Sequence, residues 1–117
     1  MKDLEKLRRL SQLSALMHQT KMHVLHRAAH ARKESLERLA ALDAPQPPNN
    51  LPTIMAQEVA LRYAVWADHR RSEINLGLAR QTADWHHALQ DAALAFGRDQ
   101  VVQRLANQPK GPNRCDG

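Results

Sequence analysis

Between residues 44 and 52 the chain reads APQPPNNLP, with four prolines in nine residues. Proline has no amide proton and pushes the residue before it out of the α region, so no helix can run through this block. Everything else in the sequence is arranged around that break. On either side, Ala, Leu, Arg and Gln dominate, all good helix formers, while β-branched residues are too sparse to build a sheet. The expected fold class is all-α: two long antiparallel helices forming a coiled-coil hairpin, followed by a disordered C-terminal tail.

The spacing sets the boundaries. A helix over 3–43, an elbow over 44–52 and a helix over 53–106 form one helical hairpin spanning 1–106, and the polar NQPKGPNRCDG over 107–117 is read as a flexible tail. At about 1.5 Å per residue the helices extend roughly 60 and 80 Å, longer than a globular helix needs. Asp3 and Glu5 sit where a helix N-terminus favours negative charge. Asn50 is the candidate cap for the second helix, with Pro52 tolerated in its first turn.

Alternating steps of three and four mark the expected seam. In the first helix they pick out Leu10, Leu13, Met17, Thr20, Val24, Ala28 and Ala31. In the second they pick out Ala60, Tyr63, Ala67, Ile74, Leu78, Gln81, Trp85, Leu89, Ala92 and Phe96, interrupted by charge at Arg70 and Arg71. Gly77 and Gly97 fall inside the second helix and each costs about 1 kcal/mol relative to Ala. Close helix approach, a mild bend or a hinge are the readings for them, and Gly97 could also end the main helix. Ile54, Leu61, Val65, Leu76, Leu94, Val101 and Leu105 form a further apolar line away from this seam. Two helices cannot cover both faces, so the sequence implies a homo-oligomer, a third packing element or a larger partner.

Charge is uneven. The net charge is +5, and residues 1–43 hold nine Lys/Arg against five Asp/Glu, whereas residues 53–106 are balanced at six each. No acid occurs from Lys6 to Lys33, a run that includes MHQTKMHVLHRAAHARK. An anionic partner is the expectation for such a segment. His23, His26 and His30 recur at steps of three and four, a spacing that could share a metal. They lack a fourth ligand and any nearby carboxylate or thiolate, and cations surround them. A solvated face ranks first, a docking surface for acidic protein second and a metal site last; the imidazoles would also gain charge as the medium acidifies. WHH at 85–87 is a weaker metal candidate still. No metal or other cofactor is expected.

The candidate partner-binding residues are Arg8, Arg9, Arg27, Arg32 and Lys33 on the first helix, and Arg62, Trp66, Arg70 and Arg71 on the second. Arg62, Trp66 and Arg70 are spaced by four, which allows guanidinium-over-indole contacts worth about 0.5–1 kcal/mol at exposed sites. Trp and Arg also dominate the energetics of many protein interfaces. The basic helix carries no aromatic to stack on bases or to anchor in a bilayer, which disfavours nucleic acid and membrane as partners. No nucleophile, base and acid are spaced for catalysis and no Gly-rich phosphate loop is present, so the expectation is a chain that is not an enzyme. The sole cysteine, Cys115, fits a reducing compartment. No apolar h-region opens the sequence and no run of eighteen apolar residues interrupts it, which together favour the cytoplasm.

The segments LEKLRRLSQL, RKESLERLAAL and VWADHRRSEINLGLARQ give residues 2–106 a pattern that resembles the FliJ-like family of bacterial flagellar and type III secretion export proteins. The resemblance implies a cytoplasmic stalk, peripheral at the inner membrane through the export apparatus. Family members insert a coiled coil into the export ATPase ring, contact the export gate protein and help to handle export chaperones. The two other readings are a basic helical nucleic-acid binder and a self-associating structural coiled coil.

Overall fold

The computed structural model describes residues 2–44 and 50–108. Within them the chain forms two α-helices, α1 (Lys2–Leu42) and α2 (Thr53–Asn107), and no strand. The boundaries expected from the sequence hold to within one residue. Pro45, Pro47 and Pro48 of the elbow, and all but the first two residues of the tail, Cys115 included, lie outside the described residues.

Local chemistry explains the ends. Asp3 and Glu5 occupy the first turn of α1, against the positive end of its dipole. Beyond Leu42 the chain tightens, as Asp43 N donates to Ala40 O at 3.1 Å and Ala44 N to Ala41 O at 3.3 Å. Such bonds spanning three residues use carbonyls left over at a helix end, and Ala44 is held there by the proline after it. At α2, Pro52 O accepts from Ala56 N at 2.8 Å. Pro52 therefore holds the cap position expected for Asn50, its carbonyl accepting the first bond of the ladder. Arg104 lies in the last turn of α2, where a cation meets the negative end of the dipole.

The molecule divides into two compact units. The first joins α1 up to His26 with α2 from His87; the second runs from Arg27 to His86. In the first unit Ser11, Ser14 and Lys21 face Gln103, Asp99 and Asp91, so partners climb on one helix as they descend on the other. Arg32, Ser35 and Asp43 face Thr82, Gln81 and Arg71 in the second. Each unit is thus an antiparallel helix pair, as the hairpin reading requires.

The seam of α1 is not the one its leucines predict. The line withdrawn from solvent is Leu7, Ser11, Ser14, His18, Lys21 and Leu25 in the first unit, then Ala28, Arg32, Ser35, Leu39 and Leu42 in the second, with Ala15, Met22, Ala29 and Ala31 half-buried beside it. Along that line the steps alternate strictly between four and three, the heptad rhythm of a helix pair. The expected line is rotated by one residue: Leu10, Leu13, Met17, Thr20 and Val24 are exposed, and only Ala28 and Ala31 of that line are half-buried. On α2 the expectation is met at Tyr63, Ala67, Ile74, Leu78, Gln81, Trp85 and Ala92. It fails at Ala60, Leu89 and Phe96, which are exposed while Ala88 and Ala95 are buried.

The reason lies in what each line meets. The buried layer of α2 is made of Ala67, Ile74, Ala88, Ala92 and Ala95, small except for one residue, so the helices pack closely. Polar groups of α1 that enter this layer find partners on α2. Ser14 Oγ donates to Asp99 Oδ1 at 2.9 Å, Gln103 Nε2 donates to Ser11 O at 3.2 Å, and Ser35 Oγ donates to Gln81 Oε1 at 2.5 Å. Among the described residues no buried side-chain nitrogen or oxygen lacks a partner. A satisfied polar seam is tolerable; an unsatisfied one is not.

Gly77 and Gly97 sit inside continuous helix with no positive φ, and α2 does not end at Gly97. A Cβ built on either meets nothing within 4 Å, so close helix approach is not why glycine stands there.

Candidate partner-binding surfaces

The cations of α1 divide by heptad position. Arg8, Arg9, Arg27 and Lys33 project from the pair and are exposed. Arg32 falls on the seam. Its Nε donates to Thr82 Oγ1 at 3.2 Å and its guanidinium lies 5.2 Å from the ring centre of Trp85. The guanidinium-over-indole contact that the sequence placed at Trp66 is therefore formed at Trp85, within the helix pair.

On α2 the candidate cluster is woven into local ion pairs. Arg62 binds Glu58 Oε1 at 3.1 Å and Arg70 binds Glu73 Oε2 at 3.1 Å, each within its own helix. Arg71 forks between Asp43 Oδ1 and Asp68 Oδ1, both at 2.7 Å. The hydrogen bond to Asp43 is the main reason its guanidinium is held above the ordinary arginine value; partial burial opposes this, and Asp68 adds to the rise. Arg71 is thus a clasp between α2 and the residue that follows α1. Trp66 remains 52% exposed, its ring 5.6 Å from that of Tyr63 and tilted by 42°. Pairing at Arg62 and Arg70 is exposed and worth little, about 0–1 kcal/mol, so a partner could redirect those side chains at small cost.

The histidine run is split between two environments. His23 and His26 face solvent. His30 Nε2 lies 2.8 Å from Glu34 Oε1, so a carboxylate does adjoin this face, contrary to the sequence reading. His18 is half-buried, with its ring 5.5 Å from that of Phe96. Among the described residues no group of three or more His, Cys, Asp or Glu gathers as a metal ion would require.

The surface that periodicity alone did not reveal is apolar. Leu10, Leu13, Met17 and Val24 add an exposed line on α1 to the one expected on α2, where Ile54, Leu61, Val65, Leu76, Leu94, Val101 and Leu105 are all exposed, Leu76 at 69%. Scattered exposed leucines are ordinary; here large apolar side chains recur at helical spacing on the exposed side of each helix. The leucine line and the serine line of α1 share their spacing a residue apart, and spacing alone could not say which would face α2.

No family model matches the chain, and neither does any curated protein or solved structure. Among the described residues, no helix is long and apolar enough to cross a membrane.

Proposed function

We propose that this chain is a non-enzymatic coiled-coil adaptor that acts by pairing its exposed helix faces with another protein. The observation that carries this reading is the placement of large apolar side chains. Leu10, Leu13 and Met17 on α1, and Leu61, Leu76 and Leu94 on α2, stand exposed outside the seam that joins the helices. Full burial of one such side chain stabilises by about 1.5–3 kcal/mol, so a protein partner that covers several has ample driving force. The exposed cations Arg8, Arg9, Arg27 and Lys33 favour a partner with an acidic surface.

The FliJ-like pattern supplies the particular partner. On that resemblance, the adaptor is a stalk of a bacterial flagellar or type III export apparatus, binding the export ATPase ring, with the export gate protein and export chaperones as further contacts. A pull-down of the full chain against that ATPase, with the ATPase rate followed alongside, tests the assignment. Specific capture with a changed rate supports it; neither capture nor a changed rate ends it. Filter binding to nucleic acid at two salt concentrations checks the competing reading, which requires affinity falling steeply as salt rises.

A further inference from the structure

We infer that the first unit carries a docking groove for one amphipathic helix with acidic flanks, supplied by a different protein. The inference rests on the adaptor reading above and assigns its partner a chemistry. A groove of about 530 Å³ runs along this unit, its walls formed by Leu10, Leu13 and Met17 of α1 and by Leu94, Ala95 and Val102 of α2. Residues 10–21 of α1 span roughly 17 Å, about three helical turns, which is a length a helix can fill with side chains at i, i+3, i+4 and i+7. A trough with apolar walls on both sides suits a helix better than it suits a bilayer, which wets a convex face.

Charge selects the occupant. The acid on the groove, Asp91, is already engaged, with Lys21 Nζ 3.8 Å from its Oδ2 at one end. Asp99 is turned to the seam, accepting from Ser14 and Gln103. Arg98 lines the groove and has no carboxylate partner among the described residues. Lys6 lies one turn before Leu10 on the same stripe, is exposed, and is likewise unpaired among the described residues. Nothing acidic follows Lys6 on α1 within this unit. A helix bearing Asp or Glu beside its apolar stripe would meet both cations as its leucines enter the trough. A second copy of this chain offers on this face the same two cations and a carboxylate, Asp91, already paired with Lys21, so it lacks the acidic complement that a different helix can bring.

The test uses the full chain and two synthetic peptides of the same leucine spacing, one flanked by Glu and the other by Lys. Fluorescence anisotropy should show the Glu peptide binding at least about tenfold more tightly than the Lys peptide. Leu13→Ser and Arg98→Glu should each weaken the Glu peptide by about tenfold or more, with helix content by circular dichroism retained, while Arg80→Glu, at an exposed residue of the other unit, should not. Equal binding of the two peptides, or insensitivity to both groove variants, overturns the inference. So does light scattering that shows a dimer broken by Leu13→Ser, or binding to phosphatidylglycerol vesicles in place of peptide. The two proposals fail separately. An ATPase captured equally by wild type and Leu13→Ser removes the groove and leaves the adaptor; Glu-peptide binding without ATPase capture leaves the groove and removes the export-ATPase assignment.

Discussion

Ser35 donates its hydroxyl to Gln81 Oε1 at 2.5 Å from a position only 4% exposed, so the most buried residue of α1 is polar and bonded across the helix pair. Removing one end of such a bond strands the other. Ser35→Ala should lower unfolding free energy by about 1 kcal/mol in urea titration, and Ser35→Ala with Gln81→Met should recover part of that loss, because neither polar group then remains. Additive losses would show that the two residues are not coupled.

Small residues in the buried layer of α2 let the helices approach. Ala92→Leu should therefore cost about 1–3 kcal/mol through overpacking, although leucine has the same helix propensity class. Leu13→Ser, at a residue 54% exposed, should move stability by no more than about 0.5 kcal/mol. Thermal denaturation of the two variants side by side checks the contrast.

At Gly77 and Gly97 an added methyl meets only open space, and neither residue has a positive φ. Replacing either with alanine should stabilise the chain by about 0.5–1 kcal/mol, through the higher helix propensity of alanine and a less flexible unfolded chain. A fall in melting temperature for either variant would contradict this.

Arg71 clasps Asp43 and Asp68, and its guanidinium is held above the ordinary arginine value. A cation raised in this way contributes stability that is complete below its unfolded value and is lost only as pH passes above the raised one. That window lies beyond ordinary alkaline buffers. Arg71→Ala should thus lower the melting temperature by the same margin at pH 7 and pH 10, and the margin should shrink in high salt as the exposed pairs are screened.

Much of the fold is legible in the sequence. Prolines located the break, and the heptad rhythm from Tyr63 to Trp85 found the seam of α2, because there a single line carries both the spacing and the bulk. The seam of α1 was not legible. Leu10, Leu13 and Met17 share their rhythm with Ser11, Ser14 and His18 one residue on, and bulk favoured the leucines. What decides between the lines is pairing across to α2, where Asp99, Gln103 and Gln81 wait for polar partners, and one helix read alone does not contain that information. The same ambiguity displaced Leu89 and Phe96 in favour of Ala88 and Ala95. For the candidate site, Arg8, Arg9, Arg27, Lys33 and Trp66 were legible as surface. Arg32 was not, because its contact with Trp85 depends on the same register.

The central claim is that the leucine line of α1 faces outward while the serine line meets α2. Thiol accessibility measures it directly. In a Cys115→Ser background, a cysteine placed at Leu13 should react with maleimide at nearly the rate of an unfolded control, and a cysteine placed at Ser35 should react far more slowly. Protection of the thiol at position 13 together with rapid labelling at position 35, in a chain shown to be monomeric, would contradict the account.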